Sequence, residues 1–133
     1  MDEFLIPDTL GGIGLRITRQ SGGSAGTTDF NVQLFGRGLD AGASVYCPGR
    51  GFAELFEHAA REWRGWDGVM RYESIEGSFV LECTQDRLGH VFIQVTLSGG
   101  GTERPWRAEA MVRTEAGQLT ALARSARRFE DRS

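Results

Sequence analysis

The sequence contains no lysine, so that all fifteen of its basic residues are arginine. A Walker-type phosphate loop requires a lysine, and so does an enzyme that forms a Schiff base with its substrate. Both classes are therefore excluded. The chain also lacks an excess of positive charge, because eighteen acidic residues give it a net charge of -3. Nucleic-acid-binding proteins usually present a basic surface, so we do not expect nucleic acid as a partner.

Cysteine and histidine are scarce. The two cysteines, Cys47 and Cys83, fall at apolar positions of predicted strands, and we interpret them as small buried side chains in a reducing compartment. A disulfide or a reactive thiol is the alternative. His58 lies four residues from Glu54 and from Glu62 on a predicted helix face, but two ligands without a third nearby do not make a metal site. We interpret His90 as a cap of the turn at Leu88-Gly89. We therefore expect no catalytic residues, no bound metal and no cofactor.

The chain has no long apolar run. Its start, Met1 to Leu10, includes three acidic residues and lacks the basic beginning of a secretory signal. No other stretch approaches the length needed to span a membrane. We therefore expect a soluble, cytoplasmic protein without a membrane partner, folded as a single domain over residues 1–133.

The clearest local pattern is an alternation of apolar and polar residues from Gly89 to Leu97, which predicts a central strand. One face has Val91, Ile93, Val95 and Leu97, and the other has His90, Phe92, Gln94 and Thr96. Shorter alternations predict six more strands, near residues 13–17, 30–34, 43–47, 70–72, 79–83 and 106–113. The residues before Ile13 are interpreted as a lead-in to the first of these.

Two segments have helical spacing instead. The first, predicted from Phe52 to Arg64, has its apolar stripe at Phe52, Leu55, Phe56, Ala59 and Trp63. The second, predicted from Glu115 to Phe129, has its stripe at Leu119, Leu122, Ala123, Ala126 and Phe129. The element order is then β-β-β-α-β-β-β-β-α. Because short loops favour antiparallel pairing, we predict an α+β fold with a single antiparallel sheet of about seven strands and two helices packed on one face.

The sheet face opposite Val91 and Ile93 has an unusual mixture of charged and aromatic residues. These are Tyr46, Val80, Glu82, Phe92, Gln94, Thr96, Arg107, Glu109, Met111 and Arg113. Such a face is typical either of cross-strand ion pairs on an ordinary surface or of a protein-docking surface. For docking, we select Glu82, Phe92, Arg107 and Glu109 as the candidate protein-binding residues. An alternative is that this face pairs with a second copy of the chain to form a homodimer.

A different hypothesis is a small-molecule-binding module or minor enzyme with a pocket between the first helix and the sheet. Its candidate ligand-binding residues are Trp63, Trp66, Tyr72 and His90. Packing in the core is the simpler interpretation of Trp63, because it falls on the apolar stripe of the predicted helix. A buried cavity lined by two or more ionisable groups would favour this hypothesis over the docking surface.

Two further patterns have simple structural interpretations. The segment Gly22 to Gly26 matches the nucleophile elbow of hydrolases, but a strand pattern follows it where the elbow requires a helix, so we interpret it as a hairpin connection. Arginine is concentrated near the end: residues 1–103 contain eight arginines and fourteen acidic residues, and residues 104–133 contain seven and four. We interpret the cluster Arg124, Arg127 and Arg128 as a solvated helix face rather than a phosphate site.

Several short motifs indicate a family. They are Phe52, Leu55, Trp63-Arg64-Gly65-Trp66, Ser74-Ile75-Glu76-Gly77, Leu88-Gly89-His90-Val91, Trp106, Glu115-Ala116-Gly117-Gln118-Leu119 and Arg128-Phe129. In this order they resemble a bacterial domain family of unknown function and, more distantly, the WapI-type immunity proteins that accompany wall-associated, contact-dependent toxins. The resemblance implies a small cytosolic protein that binds and blocks a toxin domain without catalysis. The acidic first part of the chain agrees with this, because many toxin domains that attack nucleic acids are basic.

Overall fold

The computed structural model describes residues 3–19, 29–46 and 51–131. The elements are β1 (Glu3–Ile6), β2 (Ile13–Arg19), β3 (Asp29–Gly36), β4 (Leu39–Tyr46), α1 (Ala53–Arg61), β5 (Met70–Glu73), β6 (Phe79–Gln85), β7 (His90–Gly99), β8 (Trp106–Glu115), a 3-10 turn (Ala116–Gln118) and α2 (Leu119–Asp131). Strands precede and follow the first helix without parallel crossovers. The predicted α+β class is therefore confirmed.

The strands form two sheets. The first sheet has the order β1-β2-β3-β4 and the second has the order β5-β6-β7-β8, and every neighbouring pair is antiparallel. The prediction of a single sheet of about seven strands is therefore wrong. Alternation identifies the apolar face of a strand but not the strand with which it pairs. The extra strand, β1, has only four residues and lies in the segment interpreted as a lead-in.

The helices also differ from the prediction, because they do not lie together on one face of one sheet. They pack against each other and contact the edge strands β1 and β5, while the sheets approach each other where β2 meets β8 and β4 meets β7. Phenylalanine rings link the helices to the first sheet: Phe4, Phe30, Phe52, Phe56 and Phe129 form contacts with ring centroids 5.1–6.5 Å apart. Both sheets and both helices therefore share one core.

The predicted apolar faces are confirmed almost throughout. Val91 and Ile93 of the central strand are fully buried, as are Phe52 of the first helical stripe and Leu119 of the second. Trp63 is the exception, because its side chain is 52% exposed. The helix α1 ends at Arg61, so the chain leaves helical geometry before Trp63 can reach the buried face.

Cys83 is buried in the core, and this burial raises the pKa of its thiol to about 12. It is therefore the inert hydrophobic side chain that the sequence predicts. Cys47 and the glycine-rich segment Gly22 to Gly26 lie outside the described residues. Neither α1 nor α2, the helices of the part that the structure describes, is long and apolar enough to cross a membrane.

Candidate functional site

The candidate binding surface is the outer face of the second sheet. We define this outer face by Arg71, Glu73, Val80, Glu82, Thr84, Phe92, Gln94, Thr96, Ser98, Arg107, Glu109, Met111 and Arg113. These residues alternate along β5 to β8 with the side chains that enter the core, and their cross-strand register places them side by side. Tyr46 does not belong to this face, because it lies on β4 in the first sheet.

The four candidate protein-binding residues share this face but are spread across it. Phe92 lies opposite Arg113 on β8, whereas Arg107, six positions away on the same strand, lies opposite Ser98. A strand rises about 3.4 Å per residue, so Phe92 and Arg107 are about 20 Å apart along the sheet. This span suits contact with a macromolecule, whereas a small ligand would touch only part of it.

Ion pairs cover the outer face at two places. On β5, a guanidinium nitrogen of Arg71 lies 2.7 Å from Glu73 and another lies 3.9 Å from Glu82. On β8, Arg107 is paired with Glu109 at 2.5 Å. All of these side chains are exposed to solvent to a large extent, and such pairs contribute less than about 1 kcal/mol each. These side chains can therefore break their ion pairs and form new ones with charged groups of a partner at little cost in free energy.

Apolar side chains lie between these charges. Met111 is 45% exposed, and Phe92 is half-buried beneath Arg113, whose guanidinium carbon is 5.9 Å from the centroid of the ring. An aromatic ring, a methionine and several arginines form the side-chain mixture that is enriched in protein interfaces. Sequence reasoning missed Arg71 and Glu73 on this face, although they alternate with the inward Met70 and Tyr72 of the predicted strand.

The turn before β7 is fixed by Asp86. Its carboxylate accepts hydrogen bonds from the backbone N–H groups of Leu88 and His90, each 2.9 Å long, and its second oxygen lies 2.8 Å from Nδ1 of His90. Desolvation alone would raise the pKa of Asp86, but these hydrogen bonds outweigh it and hold the pKa below its ordinary value. The ring of His90, at the edge of the outer face, is thus held by its contact with Asp86.

The four candidate ligand-binding residues are placed differently from one another. The indole N–H of Trp66 donates to the carbonyl oxygen of Cys83 at 3.4 Å, whereas Tyr72 packs edge-on against a core phenylalanine. Trp66 and Tyr72 line separate grooves. With Trp63 exposed and His90 bound to Asp86, a pocket that requires all four side chains gains no support from the described residues.

Comparison with known proteins places the chain in a family. A model described as a family of unknown function (DUF6228) matches residues 8–133. The chain belongs to this family. The match begins after β1 and includes β2 to β8 and both helices. It confirms the resemblance to a family of unknown function, while no match supports the more distant resemblance to WapI-type immunity proteins. No curated protein and no solved structure matches the chain.

Proposed function

We propose that this protein is a non-enzymatic binding protein that docks another protein through the outer face of the second sheet. The supporting observation is the grouping of Phe92 and the exposed Met111 with accessible arginines on one continuous face. Aromatic, methionine and arginine side chains are the types enriched at interface centres, and arginine and aromatic residues dominate hot spots. Glu82, Phe92, Arg107 and Glu109 are the proposed contacts.

The specific form that we propose is an immunity protein whose partner is a bacterial toxin domain. The motifs that resemble WapI-type immunity proteins support this form, and so does the net charge of -3. The outer face itself contains three arginines and three glutamates, so its contacts with a partner would be of both signs. The negative charge of the whole molecule would instead steer a basic toxin domain during approach.

Titration of the purified protein with its partner tests this proposal. The neighbouring gene is read first: where it encodes a large secreted toxin, the C-terminal domain of that toxin is the partner to use, and isothermal titration calorimetry gives the dissociation constant. We expect Met111→Arg to weaken binding by about thirtyfold or more, because hot-spot side chains contribute about 2 kcal/mol or more. The matched control is Tyr46→Arg, since Tyr46 is 44% exposed on a strand of the other sheet.

Each outcome of this titration is informative. Weakening by Met111→Arg but not by Tyr46→Arg supports docking through the outer face. Equal affinities for both variants would remove the outer face as the docking surface, and no binding to the neighbouring toxin domain would remove the immunity proposal. Light scattering of the protein alone measures its oligomeric state and so tests the homodimer alternative. A dimer that Met111→Arg dissociates would assign the outer face to a second copy of the chain.

A further inference from the structure

A groove separates the solvent-facing sides of α1 and α2. The two helices are antiparallel: the backbone N–H of Ala53, at the start of α1, donates to Glu130 near the end of α2 at 3.2 Å. The groove has a volume of about 580 Å³, within the usual range of about 300–1,000 Å³ for small-molecule sites. Its lining is Glu57, Ala60, Arg61, Thr120, Ala123, Arg124, Arg127, Arg128 and Asp131. None of these residues belongs to the outer face.

The charge of this interhelical groove is not balanced. Among the groove arginines of the described part of the chain, Arg127 is the paired one: it makes two hydrogen bonds with Glu57, of 3.0 and 2.6 Å, and lies 3.8 Å from Asp131. Within the described residues, the side chains of Arg61, Arg124 and Arg128 make no hydrogen bond or salt bridge. Four arginines thus line the groove against two carboxylates, Glu57 and Asp131, so positive charge is in excess there although the protein has a net charge of -3. Like charges repel, and an anion bound between them offsets that repulsion.

The ion pair between Arg127 and Glu57 joins the two helices at one side of the groove. The hydrogen bonds from Arg127 lower the pKa of Glu57, and the charges of Arg127 and Arg61 add to this effect against the opposing effect of burial. The same pairing raises the pKa of Arg127. Ala60 and Ala123, with their small side chains, leave the space between the helices open. From the sequence, Arg124, Arg127 and Arg128 are interpreted as a solvated face of α2 alone. In the structure, α1 adds Arg61 to the same groove.

We propose that the interhelical groove binds a small ligand that contains two or more phosphate groups. A guanidinium group donates two parallel hydrogen bonds to a phosphate, and Arg61, Arg124 and Arg128 can provide three such donors. A single carboxylate has one negative charge, whereas a ligand with two phosphates has several and can contact more than one of these arginines. The hydroxyl of the exposed Thr120 adds a neutral donor, and the volume leaves room for an organic group above Ala60 and Ala123.

Calorimetric titration with two probes, inorganic pyrophosphate and adenosine diphosphate, tests this site at low ionic strength. We expect Arg124→Gln and Arg128→Gln each to weaken binding by about tenfold, the usual effect of losing a hydrogen bond to a charged group. Arg61→Gln should have a similar effect from the other helix. Arg87→Gln is the matched control. Arg87 is an exposed arginine in the turn between β6 and β7, and its substitution changes the net charge by the same amount as the groove substitutions. Circular dichroism checks that each variant folds.

The two probes also separate the sources of the ligand. Equal affinities indicate recognition of the phosphates alone, as for an inorganic polyphosphate, whereas tighter binding of adenosine diphosphate indicates a nucleotide-like ligand. Both results support the site. The proposal is overturned if neither probe binds, if Arg61→Gln has no effect, or if Arg87→Gln weakens binding as much as Arg124→Gln. Met111→Arg should leave these titrations unchanged, which keeps the groove distinct from the outer face.

Discussion

At the scale of single residues, packing is close where a glycine of one strand faces an aromatic ring of the next. Gly14 of β2 lies opposite Phe35 of β3. A Cβ atom at Gly14 would lie 2.4 Å from Cζ of Phe35 and 2.8 Å from the carbonyl oxygen of Ile6. The second of these atoms is backbone and cannot rotate away. Glycine is therefore required at this position by space rather than by an unusual backbone angle.

We accordingly predict that Gly14→Ala destabilises the protein by about 1–3 kcal/mol, the usual penalty for overpacking. Urea denaturation followed by circular dichroism measures this change. Gly42→Ala is the matched control in the same sheet, because the nearest atom to its new methyl group, the carbonyl oxygen of Val32, is 3.7 Å away. A loss of stability no greater for Gly14→Ala than for Gly42→Ala would contradict this account.

At the scale of elements, the Glu57–Arg127 pair joins α1 to α2. Both side chains are partly exposed, so we expect a coupling free energy of about 0.5–1 kcal/mol in a double-mutant cycle with Glu57→Gln and Arg127→Gln at neutral pH. Because folding lowers the pKa of Glu57, the coupling is present above its ordinary value of 4.5 and is lost as the pH falls through the folded value. Thermal denaturation at several pH values measures it, and a coupling that grows toward acid pH would contradict the assignment.

The strands and helices also show which parts of the fold can be predicted from the sequence and which cannot. The inward and outward faces of β6, β7 and β8 follow from alternation, so most of the outer face could be predicted. The division into two sheets could not, since alternation does not indicate whether the strands on either side of α1, β4 and β5, pair with each other. Trp63 was assigned to the core because periodicity continues past a helix end that capping residues do not mark. The interhelical groove was missed because its arginines come from helices far apart in the sequence.

At the scale of the whole molecule, the two sheets share one core and should unfold together. Leu34, in the first sheet, is fully buried, and we predict that Leu34→Ala costs about 2–5 kcal/mol. All three tryptophans, by contrast, lie after α1 in the sequence. The transition followed by tryptophan fluorescence should therefore shift by as much as the transition followed by circular dichroism. Separate transitions, with only the circular dichroism signal responding to Leu34→Ala, would mean that the sheets are independent units.

Each strand pairs only with strands next to it in the sequence. Both sheets can consequently grow as successive hairpins, and neither needs a strand to be threaded between two that are already in place. Loop closure is short for every strand pair, so the entropic barrier to forming either sheet alone is small. We therefore expect the slow step of refolding to be the docking of the two sheets and the helices into their common core, because those contacts join residues far apart in the sequence.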